Sequence, residues 1–181
     1  MVFRKGGILP RNLKFYFNNE EIEIVNKYSY LGIVFTTGGS FSEAQITLSG
    51  QAQKAIFKLK RNLTKFENIT VKHTLELFDK LVTPILNYAS EIWAFIPAVQ
   101  IERVHLQFCK SLLGVKRSCQ NDFIYGELGR INYRTNRSFI AIKYWLNILQ
   151  TTDRKYKVII YKMLINDLER FPQKVNWAFT S

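Results

Sequence analysis

Cysteine is nearly absent: Cys109 and Cys119 are the two in 181 residues. A disulfide framework is thereby excluded, and two unpaired thiols suit a reducing compartment. Proline is scarce at four residues, and aromatic residues at 14% with hydrophobic residues at 47% supply a buried core, so a disordered basic tail is excluded too. Long apolar runs are also missing. The longest, Ile92 to Val99, is far below the roughly 20 residues that span a bilayer and is broken by Pro97. The charged start, Met1-Val-Phe-Arg-Lys-Gly-Gly, has no apolar stretch behind it to make a secretory signal. The expectation is an intracellular protein with no membrane partner, its compartment within the cell left open.

Acidic residues are few: 14 Asp and Glu stand against 26 Lys and Arg, for a net charge of +12. That excess favours polyanionic partners, because every phosphate neutralised by Lys or Arg releases condensed counterions. It also removes chemistry. Two-metal nucleotidyl transfer needs carboxylates converging within a few ångströms, and the four aspartates, Asp79, Asp122, Asp153 and Asp167, are isolated from one another. Glu21 and Glu23 share a strand face at period two, which reads first as a solvated outer face. No Gly-x-x-x-x-Gly-Lys phosphate loop, Gly-x-Ser-x-Gly elbow or His-Glu-x-x-His pair occurs. His105 and Cys109, at i and i+4, with Cys119 ten residues on, sketch a zinc site that lacks its fourth ligand; beside an apolar helix face they read more simply as residues at the edge of the core. A Cys-His nucleophile lacks an orienting third group. No autonomous catalytic site and no cofactor are expected in this chain.

What is present reads as α+β: an N-terminal β-hairpin or three short antiparallel strands, then a mainly α-helical bundle. Leu13 to Phe17 and the alternating Glu21-Ile-Glu-Ile-Val25 flank Asn18-Asn19, residues that tolerate the positive φ of a tight hairpin turn. A third β segment runs from Tyr28 to Phe35. Ser40 with Glu43 three residues later has the spacing of a capping box opening a helix to about Phe66. Leu48, Ala52, Ala55, Ile56, Leu59 and Leu63 share one face of that helix, and Lys54, Lys58, Arg61 and Lys65 recur on the opposite one. Thr70 is placed to cap a second helix with Leu75, Phe78, Leu81, Val82 and Ile85 inward, kinked or divided at Pro84. Ile101, Val104, Phe108 and Leu112 mark another, which Gly114 is suited to end. Phe139 to Leu149 and Tyr156 to Leu164 carry two more, separated by a break at Thr151-Thr-Asp153, and a loose tail follows Phe171-Pro172.

The Lys54/Lys58/Arg61/Lys65 stripe spans about 16 Å at 1.5 Å rise per residue, enough to run beside several consecutive phosphates. It is the candidate nucleic-acid-binding surface; the plain alternative is the solvated face of a basic protein. A secondary basic cluster, Lys110, Lys116 and Arg117, brackets Gly114, where cations also complement a helix C-terminus.

Taken in order, Met1-Val-Phe, a hairpin, Tyr28-Ser-Tyr-Leu-Gly-Ile33, a long helix, Pro84-Ile-Leu-Asn-Tyr-Ala-Ser-Glu-Ile-Trp93 and Ile101-Glu-Arg-Val-His-Leu-Gln-Phe-Cys-Lys-Ser-Leu-Leu-Gly-Val115 resemble the C-terminal part of reverse transcriptases of non-LTR (LINE, jockey-like) retrotransposons. The resemblance covers most of the chain, best over 22–150. It implies that 1–37 are the end of a polymerase palm, 38–95 thumb-like helices and 96–181 a helical connector. It implies that Tyr30-Leu31-Gly32 match the primer-grip turn, and that the basic helix lies along an RNA-DNA hybrid or duplex. In the family the catalytic aspartates lie upstream of the matched segment, in palm and fingers that would be this chain's partner. Mg²⁺ is then expected for the intact polymerase alone, this chain should be inactive by itself, and the sequence reads as a truncated frame or fragment. The family's endonuclease and terminal Cys-Cys-His-Cys knuckle are not seen. The competing expectation is a non-catalytic helical protein-interaction module of retroelement origin, pairing through Trp93, Trp145 and nearby apolar residues.

Overall fold

Two asparagines open the architecture. In the computed structural model, which describes residues 1–4, 7, 10, 12–66, 68–151 and 156–170, Asn18 and Asn19 sit at φ of 49° and 66°. Positive φ at both central residues is the turn whose twist matches that of paired strands, and it joins β1 (Phe15–Phe17) to β2 (Glu20–Ile22), antiparallel with Phe17 opposite Glu20. The segment read as one strand from Tyr28 to Phe35 is itself a hairpin: β3 (Lys27–Tyr30) and β4 (Ile33–Thr36) pair Tyr30 with Ile33 around Leu31 and Gly32. The fold is α+β, with four short strands in two separate two-stranded sheets before the helices.

Ile33 of β4 is buried at 3% exposure and starts the core. Phe35 extends it through edge-to-face contacts with Phe3 and Phe41, at 6.4 and 6.0 Å between centroids. Helix α1 (Ser42–Leu63) then buries Ala44, Leu48, Ala52 and Leu59, the face its periodicity marks. The expected capping box is not formed. Phe41 holds the N-cap position without a side-chain bond, Ser40 Oγ accepts from the Ser42 amide at 3.2 Å, and the Glu43 carboxylate pairs instead with Lys27 at 3.0 Å.

Helix α2 (Val71–Leu81) starts as expected, with Thr70 Oγ1 accepting from the His73 amide. Pro84 divides rather than kinks it: Thr83 and Pro84 open the short α3 (Thr83–Leu86), since a ring without N–H is tolerated in a first turn. Phe78, Val82 and Leu86 are fully buried, whereas Leu81, expected inward, is 53% exposed. After α4 (Ser90–Trp93), α5 (Val99–Leu112) buries Ile101, Val104 and Phe108, with Phe108 stacked on Phe78 at 4.1 Å. Each such fully buried side chain stabilises by about 1.5–3 kcal/mol relative to exposure. Gly114, at φ 68°, ends α5, and the Val115 amide donates to the Lys110 carbonyl at 3.1 Å, the long bond that closes a left-handed helix end.

A helix not expected from the sequence, α6 (Asn121–Leu128), closes the same way at Gly129 and directs Arg130 inward. Helix α7 (Tyr133–Leu149) contains the expected Phe139 to Leu149 residues and starts ahead of them at Tyr133, and α8 (Tyr156–Arg170) follows. The chain divides into two compact units, 1–138 and 139–181. Within the first, residues on both sides of positions 37 and 95 share one core, from Ile33 through Leu48 and Phe78 to Phe108. Residues 152–153 of the expected break and the tail after Phe171-Pro172 lie outside the described residues. Among the described residues no helix is long and apolar enough to cross a membrane.

Candidate nucleic-acid interface

Lys54, Lys58 and Arg61 are carried by α1 and Lys65 by the turn just beyond it; all four are exposed. The buried face of α1 fixes their direction, because a helix that packs Leu48, Ala52 and Leu59 inward turns 54, 58 and 61 outward. None of the four is in an ion pair among the described residues, where Lys14, Lys27 and Arg130 are the paired cations. Glu21 is the partner of Lys14 at 2.8 Å.

Tyr30, Leu31 and Gly32 form the tip of the β3–β4 hairpin. Leu31 at φ 48° and Gly32 at φ 79° are the turn pair, and the exposed Leu31 side chain projects from it. The Leu31 carbonyl accepts the Tyr88 hydroxyl at 2.7 Å. Gly32 also faces Tyr88, whose ring a Cβ at that position would meet at 3.7 Å. A cavity of about 400 Å³ opens beside the tip, lined by Leu31, Gly32, Gln51, Pro84 and Tyr88 among others.

The three residues of the secondary basic cluster differ in their surroundings. Lys110 Nζ donates to the carbonyls of Arg117 and Cys119 at 2.8 and 2.6 Å, so its charge fastens the 115–119 loop to α5. Lys116 and Arg117 are exposed.

Sequence reasoning missed a partly buried polar network behind α5. Arg130 donates to both carboxylate oxygens of Asp79, at 2.5 and 3.1 Å, and through Nε to His105 Nε2 at 3.0 Å. Accepting at Nε2 places the His105 proton on Nδ1. The ring is fully buried, packed by Phe78, Tyr125 and Tyr133. Burial, then the neighbouring Arg130 charge, pulls its pKa down to about 3. Burial works against the Arg130 charge, yet the bond to Asp79 leaves its pKa above the ordinary arginine value. Glu102 accepts from the Tyr125 hydroxyl and from the Tyr133 amide at 2.9 Å, and Tyr133 hydroxyl pairs with Thr83 at 2.7 Å. Burial pushes both tyrosines well above the usual phenol range, with the Glu102 bond adding to the rise at Tyr125.

These bonds tie α2, α5 and α6 together. Cys109 is buried, and burial pushes its thiol up to about 11, so it presents no thiolate near neutral pH. The His105 nitrogen that a metal or a base role needs is taken by Arg130. Among the described residues no group of three or more His, Cys, Asp or Glu side chains converges to hold a metal. Trp93, expected at a protein contact, is 1% exposed with the Arg137 guanidinium 5.2 Å from its ring centre, and burial lowers the Arg137 pKa. Trp145 is 46% exposed, its indole N–H donating to the Tyr161 hydroxyl at 3.0 Å. No protein-family model, curated protein or solved structure matches the chain.

Proposed function

We propose that the chain is a non-catalytic, nucleic-acid-binding segment of a non-LTR retrotransposon reverse transcriptase, comprising the end of the palm, the thumb and the connector. It grips the phosphates of a template-primer duplex or RNA-DNA hybrid along α1. One observation carries the binding reading: Lys54, Lys58 and Arg61 on α1 and Lys65 in the turn after it are exposed and in no ion pair among the described residues. Cations left in water keep their full value for displacing counterions from phosphate. The family reading draws support from Tyr88, which lies in the Pro84 to Trp93 run and bonds Leu31 in the Tyr28 to Ile33 run. Two of the segments that carry the resemblance therefore meet in space.

Four neutralised phosphates on duplex DNA give a slope of about −3.6 in log affinity against log salt. The double variant Lys54→Glu/Lys58→Glu is expected to weaken duplex binding and bring that slope to about −1.8 or shallower. An unchanged slope refutes the α1 interface. Primer extension by the pure chain with Mg²⁺ or Mn²⁺ is expected to be absent, and sustained incorporation refutes the non-catalytic reading. A second reading, an apolar protein-interaction module, is favoured by the exposed Phe139, Ile142, Trp145 and Leu149 of α7. It predicts weak salt dependence and a particle size that grows with concentration.

A further inference from the structure

Phe57 is 68% exposed at one edge of the basic stripe of α1. On a helix positions 54 and 61, three and four residues away, are neighbours of position 57, so its ring stands beside Lys54 and Arg61. Neither cation covers it: among the described residues the cation-ring pairs are Arg130 with Phe78 and Arg137 with Trp93. At 100° per residue Phe57 points about 60° to one side of Lys54, and Lys60 a further 60° in the same direction. On that side lies an open groove of about 730 Å³ between α1, α5 and the loop after Gly114, lined by Lys60, Arg103, Lys110 and Arg117 and by the apolar Leu106 and Val115, with Phe57 outside the lining. Lys60 Nζ bonds Ser111 at 2.7 Å and fixes the groove's near wall. Arg103 and Arg117 are exposed and in no ion pair among the described residues. The acidic residue in the lining, Glu102, has its carboxylate committed to Tyr125 and Tyr133.

We infer that this groove takes a single strand of nucleic acid which leaves the duplex track at Phe57, one unpaired base stacking on the ring and its phosphates passing to Arg103 and Arg117. The inference rests on the proposed nucleic-acid reading and deepens it by naming a second, single-stranded ligand for the same face. Charge and shape argue for this occupant. A groove that presents the exposed guanidiniums of Arg103 and Arg117 suits phosphate, and an exposed ring beside cations suits a base, since every base has a stacking face but only an unpaired one is free to use it. A blunt duplex keeps its bases inside its own stack and gains nothing from Phe57.

The test compares a labelled twelve-residue oligo-dT with a blunt twelve-base-pair duplex, both titrated against the full chain at one salt concentration. Phe57→Leu is expected to lower oligo-dT affinity by about fivefold to a hundredfold and to change duplex affinity less than twofold. Arg103→Glu/Arg117→Glu is expected to lower oligo-dT affinity more than duplex affinity, whereas Lys54→Glu/Lys58→Glu lowers both. Phe57 is a surface residue, and matched thermal unfolding of the variant confirms an intact fold. Oligo-dT binding unaffected by Phe57→Leu, or weakened equally with the duplex, overturns the inference while the α1 interface stands. Loss of concentration-dependent self-association in Phe57→Leu, with oligo-dT binding unchanged, assigns the ring to a protein contact and also overturns it. Binding of neither ligand removes the inference together with the proposed function.

Discussion

Acid should loosen this protein well before its carboxylates titrate, and His105 is the reason. In the folded chain the ring is neutral, its pKa held near 3 by burial and the Arg130 charge, whereas in the unfolded chain it titrates at 6.5. A depressed folded value means that the unfolded state takes up the proton first as pH falls. Stability is therefore fully present above pH 6.5 and drains away between 6.5 and about 3. At pH 5 the unfolded ring is about 1.5 pH units past its midpoint, a loss of about 2 kcal/mol at 1.36 kcal/mol per unit. For a chain of this size that is a large share of the total. The assay is urea unfolding at pH 7.5 and pH 5.0, a window chosen to stay above most carboxylate titration, on the native chain and on His105→Gln. Glutamine keeps an acceptor for Arg130 Nε and does not titrate in this range. The native chain should lose about 2 kcal/mol more than the variant between the two pH values. Equal losses in both refute a neutral, buried His105 as the source.

Two further outcomes follow from the same geometry. Asp79→Ala leaves the Arg130 guanidinium, 14% exposed, without the carboxylate it donates to twice. Because Asp79 is itself 48% exposed, the expected cost in chemical denaturation is about 1–2 kcal/mol, under the 3–5 of a fully buried pair, and a cost below about 0.5 kcal/mol contradicts the role given to this bond. Leu31→Asn places a residue suited to positive φ where Leu31 stands at 48° and should raise stability by about 0.5–1 kcal/mol; a lower melting temperature shows that the exposed leucine side chain contributes to the fold.

The parts of the fold that could be read from sequence were those set by neighbours along the chain. Thr70 caps α2 because its hydroxyl reaches an amide three residues away, and Asn18-Asn19 turn because of their own side chains. The inward face of α1 follows from a period that needs no partner. Where the chain consults distant residues the reading fails. Glu43 leaves the capping box for Lys27, and Leu81 sits on an apolar helix position that no neighbour covers. The Tyr28 to Phe35 hairpin is hidden because Leu31-Gly32 lacks the usual Asn or Asp. Helix α6 is short and carries a single buried position, Ile124, too little for a period to show. The candidate interface shows the same division. The lysine stripe is periodic and visible, while the groove that flanks it is assembled from residues 60, 103 and 117, which no spacing rule connects. The Asp79–Arg130 bond spans 51 residues and reads in sequence as two unrelated surface charges.

The contrast between the two thiols turns the chain into its own reporter. Cys109 is sealed in the core, while Cys119 is partly exposed on the loop whose carbonyls hold Lys110. An alkylating reagent therefore meets one sulfur per folded molecule, on the loop after Gly114, and reaches the other only when the core opens. The slow second modification counts opening events by chemistry alone, and the first places a probe on the loop that Lys110 fastens to α5.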